Sequence, residues 1–306
     1  MKRTPLYLVS ITTLGLILVA NSVTALGSTA PGLGTATTFA ILAGQTITNN
    51  LAPSTTVVTG DVGVSPGTAI TNMTGPPNGT IVGTTHTGSD PLAISAKNAL
   101  TAAYLAAGSS PCNFNKSNQN LGGQTLTPGT YCQTTAPTLT GTLTLSGNGV
   151  FIFQIGTTAS PTTLVTAPGA IISLINGAQP CNVFWQVTSS ATLDTTTSFV
   201  GTILASTSIS LNDGARIVGG RALAQTGSVT LINNQISIPT TCNATTVAGP
   251  TPAPTATPAV AGAPNGGGGP PQSNGFPWVL ALLAGVLASA GAVSLGRGIR
   301  GQHRRT

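Results

Sequence analysis

A repeat in the second half of the chain limits its fold more than any other feature. Leu193, Leu211 and Leu231 follow one another at spacings of 18 and 20 residues, and Gly201 matches Gly219 between them. Short strands with glycine corners at such a period are typical of a β-solenoid, in which successive coils stack on one another. A β-sandwich, the other all-β architecture, has no reason to repeat a coil in this way.

Each coil is predicted to carry three strands with different surroundings. In the first strand apolar and hydroxyl residues alternate, with Thr192, Ser210 and Thr230 pointing outward, which indicates that one side of the strand is exposed to solvent. The second is almost wholly apolar, as in FVGTILA from Phe199, and such continuous runs are typical of strands covered on both sides. The third, DTTTS from Asp194 and its equivalents, is polar and is expected to be exposed.

One segment outside the coils has helical character. It runs from about Pro91 to Ala107, where Ser89 or Asp90 can cap the N-terminus and Gly108 can end the helix. Its apolar residues fall on one side of a helix: Leu92, Ala96, Ala99, Leu100, Ala103 and Tyr104. We therefore expect this helix to lie along the solenoid and to cover its apolar face.

The charge distribution excludes several kinds of partner. Charged residues make up only 5% of the chain, and most of the net charge of +6 comes from basic residues near the two ends. Phosphate binding needs a basic face on the folded domain, so nucleic acid is not an expected partner. No metal or other cofactor is expected, because the central part has a single histidine, His86, and no Cys-x-x-Cys motif.

Parallel β-helix enzymes such as polysaccharide lyases are the enzymatic alternative for this architecture. They depend on clustered acidic and basic side chains, whereas this chain has four Asp and no Glu. Asp194 lies one place before the position equivalent to Asp213, so the two carboxylates need not align. Asp213 and Arg216 are predicted to form a surface ion pair. The chain is therefore not expected to be an enzyme.

Residues 1–25 have the pattern of a secretory signal peptide. Lys2 and Arg3 precede an apolar run that ends at Ala20, and small residues before Leu26 suit cleavage. The apolar run is short for the alternative, a membrane anchor. Residues 26–248 are therefore expected to form one exported domain.

A second apolar segment lies near the C-terminus. Trp278 to Gly296 is uncharged and would form a helix of about 28 Å, close to the hydrocarbon thickness of a bilayer. The arginines that follow favour the cytoplasmic side. We predict a linker at 249–275, a transmembrane helix at 276–296 and a basic tail at 297–306, with the domain outside the cell. The alternative is a sorting tail that is later cleaved.

Cysteines in the exported part indicate two disulfides in an oxidising compartment. They are Cys112, Cys132, Cys181 and Cys242, for which three pairings can be written. We prefer Cys112–Cys132 with Cys181–Cys242, because the first pair closes a short local loop.

Longer stretches resemble the DUF3494-type ice-binding proteins, secreted antifreeze-like proteins of microbes. They include GDVGVSPGTAI from Gly60, LINGAQPCNVFWQV from Leu174 and the run from Ser189 to Ile236, and the resemblance extends over residues 33–238. It implies an all-β fold with one helix: a discontinuous β-solenoid with the α-helix packed along its axis. In this fold the first strands complete the solenoid beside the last ones.

The resemblance also implies a site on a flat, uncharged face that orders water. In many members the site follows a loose motif of Thr, then Ala or Gly, any residue, then Thr or Asn. We predict this motif face as the site, with Thr166, Thr195, Thr197, Ser198, Asn233 and Asn234. In the coil after Thr195–Ser198, Asp213 and Arg216 replace the motif threonines. The alternative is an uncharged ladder of Thr142, Thr144, Thr192, Ser210 and Thr230.

The implied partner is ice with its ordered water layer. We expect a monomer that is anchored to the membrane, binds ice at the cell surface and restrains ice growth and recrystallisation. The alternative function is a cell-surface adhesin or glycan-binding module on the same scaffold, without ice activity.

Overall fold

The computed structural model describes residues 28–51 and 53–240. The predicted signal peptide, linker, transmembrane helix, basic tail and Cys242 all lie outside the described residues. Among those that are described, no helix has the length and apolar character needed to cross a bilayer.

The described part of the chain consists of short strands and one long helix. Seven strands precede the helix: β1 (Phe39–Ala43), β2 (Thr46–Asn49), β3 (Val57–Thr59), β4 (Asp61–Val64), β5 (Ala69–Thr71), β6 (Thr80–Val82) and β7 (Thr85–Thr87). The helix α1 spans Pro91–Ser109. Fifteen strands follow: β8 (Phe114–Asn115), β9 (Thr125–Leu126), β10 (Gly129–Gln133), β11 (Thr138–Leu139), β12 (Thr142–Ser146), β13 (Phe151–Ile155), β14 (Leu164–Thr166), β15 (Ile171–Ile175), β16 (Val183–Val187), β17 (Ala191–Leu193), β18 (Ser198–Ala205), β19 (Ile209–Leu211), β20 (Arg216–Ala224), β21 (Val229–Leu231) and β22 (Gln235–Ser237).

The strands stack in parallel as coils around one core, as the repeat predicts, and they form three faces. The third strand was predicted at the wrong place, because residues 194–197 form a turn between two faces and the third face begins at Ser198. We call the first the helix-covered face; it contains β8, β10, β13, β16, the second halves of β18 and β20, β1, β4 and β7. The hydroxyl face contains β11, β14, β17, β19, β21, β2 and β5. The mixed face contains β9, β12, β15, the first halves of β18 and β20, β22, β3 and β6.

The order of the coils differs from their order in the sequence. β1 pairs with β20 and β2 pairs with β21, so the first coils of the chain stack beyond the last one. The chain then passes through α1 to β8, which pairs with β10 at the opposite end. The predicted discontinuous solenoid is therefore confirmed.

The strand β18 turns a corner between two faces. Gly201 at the corner has a φ of +98°, and a Cβ there would lie 2.6 Å from the Val183 carbonyl oxygen, so only glycine fits. Ser198–Val200 lies on the mixed face and Thr202–Ala205 on the helix-covered face. The prediction that the helix covers the whole apolar run is therefore wrong for its first half.

The helix covers one face of the solenoid, as predicted. Asp90 caps it by accepting a hydrogen bond of 2.8 Å from the Leu92 backbone N–H. Most helix side chains that face the sheet are small, and they let the helix approach it closely. Leu92, which was predicted to face the sheet, stays 37% exposed. The contact is formed by Ala96, Leu100, Ala103 and Ala107 of the helix with Phe39, Leu42, Ile152, Phe184, Leu204 and Leu223 of the sheet.

A disulfide ties the start of the returning chain to the solenoid. Cys112 and Cys132 are bonded, which confirms the first predicted pair. Since Cys242 lies outside the described residues, the pair Cys181–Cys242 stays a prediction.

The Lys97 side chain links the helix to a solenoid corner, and its titration gives a testable pH dependence. Nζ donates to the carbonyl oxygens of Ala224, at 2.8 Å, and Gln225. Burial lowers the pKa of Lys97 to about 8 from its ordinary 10.5. The folded state therefore binds fewer protons than the unfolded state above about pH 8, so stability should rise between pH 8 and 10.

We expect the melting temperature to rise by about 2–4 °C between pH 8 and 9.5, corresponding to about 1 kcal/mol after allowing for partial exposure. Thermal unfolding followed by circular dichroism measures this. The variant Lys97→Met should lose the rise. An equal rise in that variant would show that Lys97 is not its cause.

Candidate functional site

The hydroxyl face presents one outward residue from each of its seven strands, all in register. The central residue of β17, β19 and β21 points outward between two buried neighbours. Neighbouring strands lie about 4.7–4.9 Å apart, so the residues form a regular row. In order along the solenoid the row is Thr138, Val165, Thr192, Ser210, Thr230, Thr48 and Thr71. Six of the seven carry a hydroxyl group and none is charged.

A second row of hydroxyls runs beside the first. It consists of Ser190, Ser208, Ser228 and Thr46, each two residues before a member of the first row and so about 6.5–7 Å from it. Thr46 Oγ1 donates to Ser228 Oγ at 2.9 Å, and Ser208 Oγ accepts from the Ser228 N–H at 3.2 Å. Ser190 Oγ accepts from the Ser208 N–H at 3.3 Å. These bonds between coils restrict the side chains, which favours a rigid surface.

A buried apolar layer supports both rows from inside. Ala191 and Leu193 flank Thr192, and the equivalent residues of the next coils are also buried. The strands of this face are only two to four residues long, which keeps the face narrow. Regular parallel pairing from β11 to β5 stacks all seven strands in one sheet. The result is an extended surface without charged side chains in its two rows.

The ladder predicted as the alternative site is divided between two faces. Thr192, Ser210 and Thr230 belong to the hydroxyl face, whereas Thr142 and Thr144 lie on β12 of the mixed face. The prediction of one continuous ladder is therefore wrong. In this coil the strand of the hydroxyl face, β11, comes before the corner at Gly141, whereas β12 comes after it. The row is completed instead by residues that the prediction lacked: Thr48, Thr71 and Thr138.

Half of the residues predicted for the motif face do not reach the surface. Thr166, Thr197 and Asn234 are all at least 99% buried. Their polar groups hold the inside of the corner between the hydroxyl face and the mixed face. Thr166 Oγ1 and Thr197 Oγ1 share a hydrogen bond of 2.8 Å, and Asn234 Nδ2 donates to the Ala215 carbonyl at 2.8 Å. Direct contact of these three with a surface ligand is therefore excluded.

The other motif residues are accessible but lie among charged side chains. Ser198 Oγ accepts from Arg216 Nε at 3.2 Å, and Asn233 Nδ2 donates to Asp213 Oδ1 at 2.8 Å. The structure thus gives Asp213 and Arg216 partners other than each other, so the predicted ion pair is wrong. Thr195 is partly exposed at the start of the same corner. The outer side of the corner is therefore polar and charged rather than uniform.

The mixed face does not repeat one type of side chain. Its in-register row combines hydroxyl, aliphatic, amide and guanidinium groups: Thr142, Ile171, Ser198, Arg216, Gln235, Val57 and Thr80. Such a row varies in height and hydration from coil to coil.

Each acidic residue near these faces is hydrogen-bonded to an asparagine of its own. Asn212 Nδ2 donates to Asp194 Oδ1 at 3.0 Å, and this bond and the Thr195 N–H hold the pKa of Asp194 below its ordinary value. Asp213 lies against Asn233. In the described part of the chain, no group of three or more His, Cys, Asp or Glu side chains is placed to hold a metal ion.

The corner also contains a strained residue that gives a stability prediction. Thr196 has a φ of +56°, where neighbouring coils have Gly169 at +68° and Gly214 at +71°. This conformation costs an L-residue about 1–2 kcal/mol, and a β-branched one finds it especially unfavourable. Thr196→Gly should therefore stabilise the fold by about 0.5–1 kcal/mol after the added flexibility of the unfolded chain is counted.

Urea unfolding of this variant measures the change. Thr195→Gly is the matched control, because Thr195 has no positive φ to relieve, and it should lower stability. A loss of stability in Thr196→Gly would contradict the view that the backbone of Thr196 is strained.

The sequence is similar to a known family over most of the solenoid. Residues 41–237 match the family model described as Ice-binding-like. An ice-binding protein of Nostoc sp. (strain HG1) is 44% identical over 209 residues, which cover 67% of this chain and 73% of the relative. An ice-binding protein of Flammulina populicola is 36% identical over 246 residues, which cover 74% of this chain and 95% of the relative.

Solved structures agree with this similarity. The crystal structure of an ice-binding protein from an Antarctic biological consortium matches with a TM-score of 0.63 at 40% identity, covering 69% of this chain and 92% of that protein. That of the Antarctic ascomycete Antarctomyces psychrotrophicus matches with a TM-score of 0.62 at 36% identity, covering 70% of this chain and 100% of that protein. Because the second match covers the whole of that solved chain, a solenoid of this extent folds by itself in that relative.

Proposed function

The chain belongs to the Ice-binding-like family, and we propose that its solenoid binds ice through the hydroxyl face and so restrains ice growth and recrystallisation. The observation that carries the choice of face is the in-register row of seven outward residues, six with hydroxyls and none with a charge.

The mechanism rests on ordered water. Threonine methyl groups on a regular grid favour an ordered water layer above them, and the hydroxyls tie that layer to the protein. When the layer merges with the surface of a crystal, the protein is adsorbed. Ice between adsorbed molecules must then grow with a curved front, which is unfavourable.

Charge and rigidity decide which face suits this mechanism. A charged group binds water strongly in its own geometry, so Arg216 and Asp213 disfavour the mixed face and the adjoining corner. The two rows of the hydroxyl face lack such groups, and their hydrogen bonds between coils keep the grid fixed.

The function is tested with the fragment 26–248 in an ice recrystallisation assay and by the shapes of single ice crystals. We expect small ice grains to persist and crystals to become faceted. Normal grain growth together with unshaped crystals at high protein concentration would reject ice binding and favour the adhesin alternative.

We also propose that the domain is exported and held at the cell surface. The pattern of residues 1–25 supports export, and the apolar segment 276–296 with its trailing arginines supports an anchor. Fractionation of cells that express the full chain, with protease treatment of intact cells, tests this. The domain should be in the membrane fraction and cleavable from outside, whereas release into the medium would indicate a cleaved tail.

A further inference from the structure

A cavity of about 400 Å³ lies between the end of α1 and the strands β13 and β16. The helix contributes Tyr104, Leu105 and Gly108 to its lining, and the strands contribute Gln154 and Gln186. Ser109 and Gly156 also line it, as do three threonines at the adjoining corner: Thr157, Thr158 and Thr188. None of the lining residues is charged, and none belongs to the two rows of the hydroxyl face.

Neutral polar groups are prearranged in this cavity. Gln186 is only 5% exposed, and its side chain lines the cavity together with Tyr104. Burial raises the pKa of Tyr104 above its ordinary value, and a neutral phenol such as this one has an O–H that can donate a hydrogen bond. Gln154 Nε2 donates to the carbonyls of Ala107 and Ser110, both at 2.8 Å, which fixes this second amide at the helix end.

A glycine of the helix lies next to the Gln186 amide in the cavity lining. Gly108 lies within α1, where alanine is the better helix former. A Cβ at this position would lie 3.4 Å from Gln186 Nε2, an ordinary contact that the structure can accommodate. Helix stability would therefore favour alanine here, but the added methyl group would cover the amide.

We propose that this cavity binds a neutral sugar of monosaccharide size. Its volume falls in the range of small-molecule sites, about 300–1,000 Å³. The ring of Tyr104 and the side chain of Leu105 offer apolar contacts for the C–H side of a sugar, while amides and hydroxyls suit its hydroxyl groups.

Other ligand classes fit less well. Phosphates and carboxylates are bound by cationic side chains, which the lining lacks, and the C-terminal end of a helix carries partial negative charge that repels anions. A purely apolar ligand would cover the polar groups of Gln186 and Tyr104 without offering them a hydrogen bond, which is unfavourable.

Binding is tested by titrating the ¹⁵N-labelled fragment 26–248 with D-glucose, D-galactose or N-acetyl-D-glucosamine and recording amide NMR spectra. At least one neutral sugar should saturate with a Kd in the millimolar range and shift the Gln186 side-chain and Gly108 signals. D-Glucuronate, which adds a charge at similar size, should bind at least roughly tenfold more weakly than that sugar. Failure of all three neutral sugars to saturate, or equal binding of glucuronate, would overturn the proposal.

Two variants locate the site. Gly108→Ala should weaken binding roughly tenfold while preserving the helix, and Tyr104→Phe should weaken it by removing only a hydroxyl. Leu92→Ala, on the exposed first turn of the same helix, is the control and should bind normally. Unchanged sugar binding in both cavity variants would overturn the assignment. Ice recrystallisation should be normal in all of them, so failure of sugar binding and failure of ice binding are separate results.

Discussion

Thr192→Tyr and Thr230→Tyr should each raise the protein concentration needed to stop ice recrystallisation by roughly tenfold or more. Both threonines lie in the first row of the hydroxyl face, on β17 and β21, which are the two strands that pair with β19. A tyrosine there projects beyond the plane of the row and prevents an ordered water layer from continuing across it. The side chains point outward from the core, so the variants should keep the fold and melting temperature of the original protein.

Thr195→Tyr and Thr144→Tyr are the matched controls. They make the same change at the corner and on the mixed face, and both should retain most of the activity. The family motif favours the corner, so this comparison decides between the two positions. A stronger loss in Thr195→Tyr than in Thr192→Tyr would move the site to the motif face.

Phe153→Ala should have the largest effect on stability, a loss of about 3–5 kcal/mol of unfolding free energy. Phe153 is fully buried in an aromatic stack that runs across the coils. Its ring lies 3.9 Å from that of Trp185, between centroids, and 5.3 Å from that of Tyr131. Removing it leaves a cavity between coils that rigid neighbouring strands cannot fill.

Thermal unfolding measures this loss, which corresponds to a decrease of about 10 °C or more in melting temperature. Phe114→Ala is the control at the end of the same stack, where the ring is 43% exposed, and it should cost much less. Equal losses in the two variants would contradict the view that coil stacking around this aromatic column sets the stability.

The coil repeat predicted the architecture because each coil places a leucine at the same inward position. Leu193, Leu211 and Leu231 are all buried, and Leu193 and Leu211 are direct partners on adjacent strands. The change in spacing from 18 to 20 has a structural cause, since the register shifts once near Gly219 and the next corner is longer. A pattern of alternation was therefore sufficient to identify strands, coils and the inward side.

The face of each residue was harder to predict than its strand. The run FVGTILA is uniformly apolar but crosses a corner at Gly201, and periodicity does not mark where a strand bends. The same limit affected Thr166 and Thr197, whose hydroxyls are buried inside a corner. A hydroxyl side chain can take either position, because a buried hydroxyl is tolerated where it has a hydrogen-bond partner.

The missing members of the hydroxyl face come from distant parts of the sequence. Thr48 and Thr71 precede the helix, and they join the row only because the first coils stack beyond the last. The run QTITN around Thr48 alternates like the later strands and could have been added to the ladder. The resemblance implied this stacking, but pairing partners could not be read from spacing alone.

Partition into growing ice tests the central claim most directly. The fragment 26–248 is labelled with a fluorophore and ice is grown slowly from its solution. We predict that the labelled protein enters the ice, that Thr195→Tyr also enters, and that the double variant Thr192→Tyr/Thr230→Tyr stays in the liquid. Exclusion of the unmodified protein, or equal incorporation of the folded double variant, would contradict ice binding through the hydroxyl face.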